Sequence, residues 1–210
     1  MRVALTFDAE HPDRAHRIGA HDGILDVLAE RDVRATFFLQ GRWVEASPGS
    51  ARRVARDGHL IGSHSYYHAR LPLLTDDGLK SDVEDAEVAI REVVGIDPRP
   101  WFRCPFLAGE DDPRVVGLLA ELGYRVVPAD IVLDDWEEER SGEVIATDAI
   151  EAVARMVDEG ETEAIVLLHS WPTQTLDALP VMIDGLRASG ATFIDAAGLP
   201  ESRLVAAVPA

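Results

Sequence analysis

Seven short apolar runs alternate with amphipathic stretches along this chain, and that alternation most limits the folds open to it. The runs cover residues 3–7, 35–39, 59–61, 101–103, 124–127, 165–168 and 192–194. Their length and apolar content read as strands. Helical patterns fall between them at 23–30, 50–57, 75–94, 113–122, 147–158 and 176–188. Thr75-Asp76-Asp77 is a helix-start signal, and Gly95, Gly123, Gly160 and Gly190 stop the last four helical stretches. Strands joined through helices pair in parallel, so the expected class is α/β with a parallel sheet. No repeat, low-complexity stretch or long linker divides the 210 residues, and one domain over 1–210 is expected.

In such folds the working site gathers at the carboxyl ends of the strands. The polar residues expected there are Asp8 and Glu10 after the first run, His64 and His68 after the third, and Arg103 after the fourth. Asp134, Asp135 and Trp136 follow the fifth, and His169 closes the sixth. His64 and His68 stand four apart. On a helical turn they share a face, and both imidazoles can reach one ion if a carboxylate completes the site. Asp8 and Glu10 stand two apart, so in extended backbone both point to one side. The plainer readings are a pair of surface or capping histidines, and a satisfied core histidine at 169. Tyr66, Tyr67, Trp101, Trp136 and Trp171 are candidates for a cleft suited to stacking on rings, with Trp136 and Trp171 preferred because they flank the polar positions. Trp43 is expected in the core, His59 in a structural role, and His16 and His21 exposed in an early loop.

Charge narrows the partners. The chain carries 38 acidic and 20 basic residues, for a net charge of −18. That disfavours nucleic acid and anionic lipid surfaces, so neither is expected as a partner. Cys104 is the single cysteine, so no intrachain disulfide forms. No basic-then-apolar leader and no apolar run near eighteen residues is present, and the expected location is the cytoplasm.

Five short segments, in order, resemble the motifs of the polysaccharide deacetylase family, the family-4 carbohydrate esterases with a nodulation-type deacetylase domain. They are Thr6-Phe7-Asp8-Ala9-Glu10-His11-Pro12, His64-Ser65-Tyr66-Tyr67-His68, Arg103-Cys104-Pro105-Phe106-Leu107, Val132-Leu133-Asp134-Asp135-Trp136 and Leu167-Leu168-His169-Ser170. The resemblance implies a distorted (β/α) barrel of about seven strands and hydrolysis of an N-acetyl amide. It implies that Asp8 is the general base, Arg103 its orienting partner, and His169 the general acid held protonated by Asp135. The backbone N–H of Phe106 is implied as an oxyanion donor.

The family places its metal on two histidines and a second aspartate, and that aspartate is Ala9 here. Glu10 has a longer arm and is the expected third ligand beside His64 and His68, with His11 or a two-ligand site as alternatives. Zinc is the expected ion, with cobalt, nickel and manganese also suited. Leu107 and Val132 replace a family glycine and aspartate and are expected to reshape the cleft. The expected substrate is an N-acetylated sugar or oligosaccharide, flanked by Trp136, Trp171 and Tyr67. A small N-acyl amine, a cyclic ureide, or a non-catalytic carbohydrate-binding role are the alternatives.

Overall fold

The computed structural model describes residues 1–11 and 19–205. The elements run β1 (Arg2–Ala9), α1 (Ala20–Glu30), β2 (Thr36–Leu39), α2 (Gly41–Ala46), α3 (Pro48–Arg56), β3 (Leu60–Ser63), α4 (Asp76–Val94), β4 (Trp101–Phe102), α5 (Pro113–Glu121), β5 (Arg125–Val126), β6 (Ile131–Val132), α6 (Gly142–Asp158), β7 (Glu163–His169), α7 (Thr173–Ala188) and β8 (Thr192–Ile194). The strand order is β5-β4-β3-β2-β1-β7-β6, every neighbouring pair parallel. β8 adds to the first half of β1, Arg2 to Ala4, while β2 takes the second half, Thr6 to Ala9. The sheet curls into a distorted half-barrel wrapped by helices, as the alternation anticipates.

Side-chain alternation along β1 creates two environments. Val3, Leu5, Phe7 and Ala9 face outward and join the large apolar cluster under the helices, with Phe37, Leu39, Val166 and Leu168. Ala4 faces inward with Phe38, Ile165 and Val127 and closes the floor of the barrel. Above that floor the inward positions turn polar: Thr6, then Asp8, then Glu10, all buried. The period-2 geometry of a strand thus carries one line of side chains from a dry floor up to the site.

Local chemistry fixes the helix ends. Thr75 caps α4 by accepting from the Gly78 N–H, and Gly95 ends it in the left-handed region. Asp112 caps α5, whose first residue is Pro113, and Ser141 caps α6. α6 and α7 both start earlier than their apolar periodicity. Gly142 explains the first case: a Cβ there would stand 2.7 Å from the Ala178 backbone nitrogen, so only glycine lets α6 begin against α7. Among the described residues no helix is long and apolar enough to cross a membrane.

Candidate active site

The β1–β7 register sets Asp8 directly beside His169, and the chain runs on to Glu10 at the rim. These residues open into a cleft of about 380 Å³, whose lining includes Asp8, Glu10, His64, His68, Trp136 and His169. Leu107, Val132 and Trp171 also line it, with His11 and Arg70. Tyr67 does not: its side chain is 61% exposed and its ring packs on Tyr66, outside the cleft. The loop that presents His68 turns Tyr67 outward, its N–H held by Asp82 Oδ1 at 2.8 Å.

His64 and His68 converge by a route other than a helical turn. Residues 64–68 follow β3 as an irregular turn in which Ser65 and His68 both have positive φ, 60° and 59°. The Ser65 hydroxyl accepts the His68 N–H at 3.0 Å and closes the turn. The two rings end with centroids 4.9 Å apart. Positive φ recurs around the cleft at His11, Phe106, Leu107 and Asp134, with Asp32 alone lying elsewhere among the described non-glycine residues. Strain of this kind persists where the surroundings hold it, and here it surrounds one cavity.

Glu10 is the hub. Its Oε2 pairs with His68 Nε2 and lies 3.3 Å from His64 Nε2, while its Oε1 lies 2.8 Å from His11 Nε2 and 3.7 Å from His169 Nε2. Burial opposes charge on Glu10, yet the neighbouring His11, His64 and His68 side chains outweigh it and hold the carboxyl well below the usual range. His64 points its Nδ1 at the Arg103 carbonyl, 2.9 Å away. A carbonyl only accepts, so Nδ1 carries a proton and Nε2 is the ring nitrogen turned toward Glu10. Burial lowers the pKa of His68 despite Glu10, which favours its neutral, ligating form.

Asp8 is 3% exposed, and its Oδ1 has no hydrogen-bond partner among the described residues. Arg103 Nη1 stands 3.9 Å from that oxygen. The guanidinium is fully buried below it, with Nε donating to the Val127 carbonyl at 2.6 Å and Nη2 to Thr6 Oγ1 at 3.1 Å. His169 is braced from behind. Asp135 Oδ1 takes its Nδ1–H at 2.7 Å, and Oδ2 takes both its backbone N–H and the Thr175 hydroxyl. Burial works against an imidazolium here, but Asp135, Glu10 and Asp8 outweigh it and push the pKa of His169 up to about 9. Trp136 meets the His169 ring edge-on at 5.0 Å, and Trp171 lies 6.0 Å away. The N–H groups of Leu107 and Ala108 are taken by the Cys104 and Pro105 carbonyls in the turn that carries Phe106.

The donor set suits a divalent ion. Ligand atoms of Glu10, His11 and His68 all lie within 4.8 Å of one another, and His64 Nε2 is a buried nitrogen with no hydrogen-bond partner among the described residues. Imidazole nitrogens with one carboxylate are a donor set that zinc or cobalt takes.

Other expectations meet the structure differently. Trp43 is in the core at 2% exposure. His21 is not an exposed loop residue: it sits on α1, half-buried, its ring 5.0 Å from Trp43 and 5.9 Å from Phe37. His16 and Pro12 lie outside the described residues. Cys104 is buried in the core, and burial raises its thiol pKa, which suits packing rather than reactivity. Arg70 is a lining residue that motif reasoning missed. Its guanidinium lies 4.3 Å from the centroid of the half-exposed Phe106 ring, a stack that no local pattern announces.

Comparison with known proteins agrees with this geometry. Residues 1–127 match the family model described as Polysaccharide deacetylase. The chitin deacetylase of Colletotrichum lindemuthianum is 34% identical over 173 residues, covering 80% of this chain and 68% of that protein. A family 4 acetyl xylan esterase from Clostridium thermocellum, solved in complex with a cobalt ion, superposes with a TM-score of 0.76 at 26% identity, covering 93% of this chain and 88% of the other. A CE4 family pseudoenzyme from Bacillus anthracis superposes with a TM-score of 0.80 at 25% identity, covering 94% of this chain and 64% of the other.

Proposed function

The chain belongs to the polysaccharide deacetylase family, and from that premise we propose that it is a metal-dependent hydrolase that removes the acetyl group from an N-acetylated sugar or oligosaccharide. One observation carries the reading: Asp8, Glu10, His64, His68 and His169 line a single cleft, with His169 braced by Asp135.

Glu10, His64 and His68 would hold the ion, and zinc is the proposed metal. Bound there, it would polarise the acetyl carbonyl and acidify water. The remaining roles belong to the chain. Asp8, with an uncommitted oxygen, takes the proton of the attacking water. Arg103 places its guanidinium beneath Asp8, with Nη1 3.9 Å from Oδ1, and orients that carboxylate. His169 Nε2 delivers a proton to the departing amine, and the imidazolium favoured by Asp135 is the form needed for that. Trp136 and Trp171 offer apolar faces to the sugar. The Phe106 N–H is proposed as a donor to the developing oxyanion.

The test is acetate release from N-acetylglucosamine oligomers by zinc-loaded protein, beside small N-acetyl amines and allantoin. Asp8→Asn and His169→Ala should each lower turnover by roughly two orders of magnitude with metal retained. A non-catalytic carbohydrate-binding role is the second reading, favoured by the likeness to the pseudoenzyme. Oligosaccharide binding without acetate release from zinc-loaded protein would select it.

A further inference from the structure

We propose that His11 is a direct ligand of the ion, so that Glu10 and His11 together supply what the family takes from an aspartate at the position of Ala9. The inference rests on the metal-dependent reading above and extends its ligand set. Ala9 cannot be rescued by rotation, because its side chain points outward into the apolar cluster under the helices. The chain instead bends inward just beyond β1. His11 adopts φ 61°, a left-handed conformation that few non-glycine residues take.

That bend is held from two sides. The His11 N–H donates to Gln40 Oε1 at 3.0 Å, and the Gln40 N–H donates to the Ala9 carbonyl at 3.0 Å. Gln40 is itself 2% exposed, so the bend is anchored in the interior. The result is a ring folded back over Glu10, with its centroid 5.1 Å from that of His68.

An outer histidine that only steers Glu10 is the competing arrangement. Such a ring would bear on the carboxylate alone and stay away from the other ligands. His11 approaches both Glu10 and His68, with ligand atoms of all three within 4.8 Å of one another. Tetrahedral ligands at about 2.1 Å from zinc stand roughly 3.4 Å apart, so a small inward movement brings the three onto one ion. His64 would complete the set as the third imidazole, and an ion so held would take water or the acetyl oxygen as a fifth ligand.

His11→Asn is the informative variant, because asparagine tolerates the left-handed backbone and removes the imidazole. X-ray absorption of the zinc-loaded protein and the visible spectrum of the cobalt-substituted protein count the imidazoles, and chelator competition gives the affinity. Wild type should show three imidazoles and His11→Asn two, with affinity lower by about 10–100-fold and altered cobalt bands. His64→Ala serves as the reference for losing one imidazole. An unchanged imidazole count and unchanged cobalt bands in His11→Asn overturn the proposal, even if affinity falls, and leave the metal-dependent reading standing. Wild-type protein that binds neither ion overturns both.

Discussion

Asp135 receives three donors at once, and this decides what removing its charge would do. Two come from His169 and one from Thr175. Asparagine keeps the size but offers one acceptor oxygen and an NH₂ group, so at least one of the three donors meets a donor. In Asp135→Asn, turnover should fall by about 100-fold with metal content intact, and the alkaline limb of the rate profile should move to lower pH. The sign follows from the brace: a carboxylate that raises the His169 pKa extends the protonated form upward, and its loss withdraws that extension. Rate profiles of both proteins check this, and an unmoved alkaline limb removes Asp135 from its positioning role. Arg103 permits a harsher test. Its buried Nε and Nη2 serve two carbonyls and a hydroxyl in addition to facing Asp8. A lysine cannot span that fork, so Arg103→Lys should lose roughly 2–4 kcal/mol of stability as well as activity, measured by denaturant unfolding. At this scale the sequence is informative where spacing is regular. Asp8 and Glu10 share a side because a strand alternates, and their convergence is readable from two residue numbers. Arg70 is not readable, because its place in the cleft depends on how the turn after His68 meets the turn carrying Phe106.

Elements with strong periodicity are legible, and those shaped by their neighbours are not. All seven apolar runs become strands, yet Ile131–Val132 is missed because two residues with one side chain exposed show no period. The six-residue helix α2 is missed for the same reason of length. The turn at residues 64–68 shows a different gap: i and i+4 converge as expected, but through two left-handed residues and a serine hydroxyl, which spacing alone cannot distinguish from a helical turn. His59 sits where β3 begins and supports a prediction at this scale. Its Nδ1 accepts the Ala35 N–H at 3.2 Å, so the folded state requires the neutral ring. Burial lowers its pKa from 6.5 to about 4. The unfolded chain therefore takes a proton near pH 6.5 that the folded chain refuses until near pH 4. The contribution is complete above pH 6.5 and is lost as pH falls through that window. His59→Asn places an amide oxygen near the position of Nδ1 without a titrating group. Urea midpoints from pH 7.5 to 4 should fall less steeply in His59→Asn than in wild type. Parallel curves would show that His59 contributes nothing to acid sensitivity.

Across the whole molecule the net charge of −18 acts on anything that approaches the cleft. The rim adds to it locally, because the exposed residues Glu137, Glu138 and Glu139 follow Trp136 directly. Within the cleft itself, Arg70 is the one Lys or Arg among the described lining residues. A neutral N-acetylglucosamine oligomer feels little of this field, whereas an oligosaccharide carrying carboxylates is repelled before it arrives. The range of that repulsion is set by salt: the screening length is about 30 Å at 0.01 M and about 8 Å at 0.15 M. Raising salt between those limits should therefore increase kcat/KM for a carboxylated acetyl-oligosaccharide several-fold, through KM, and leave the neutral oligomer within twofold. Replacing Glu137, Glu138 and Glu139 by glutamine should flatten the salt response of the anionic substrate by removing the nearest charges. Their side chains lie outside the barrel core, so kcat on the neutral oligomer should stay unchanged. Initial rates for both substrates across the salt series provide the measurement. Equal salt slopes for the charged and neutral oligomers would show that the surface charge does not select what the protein hydrolyses.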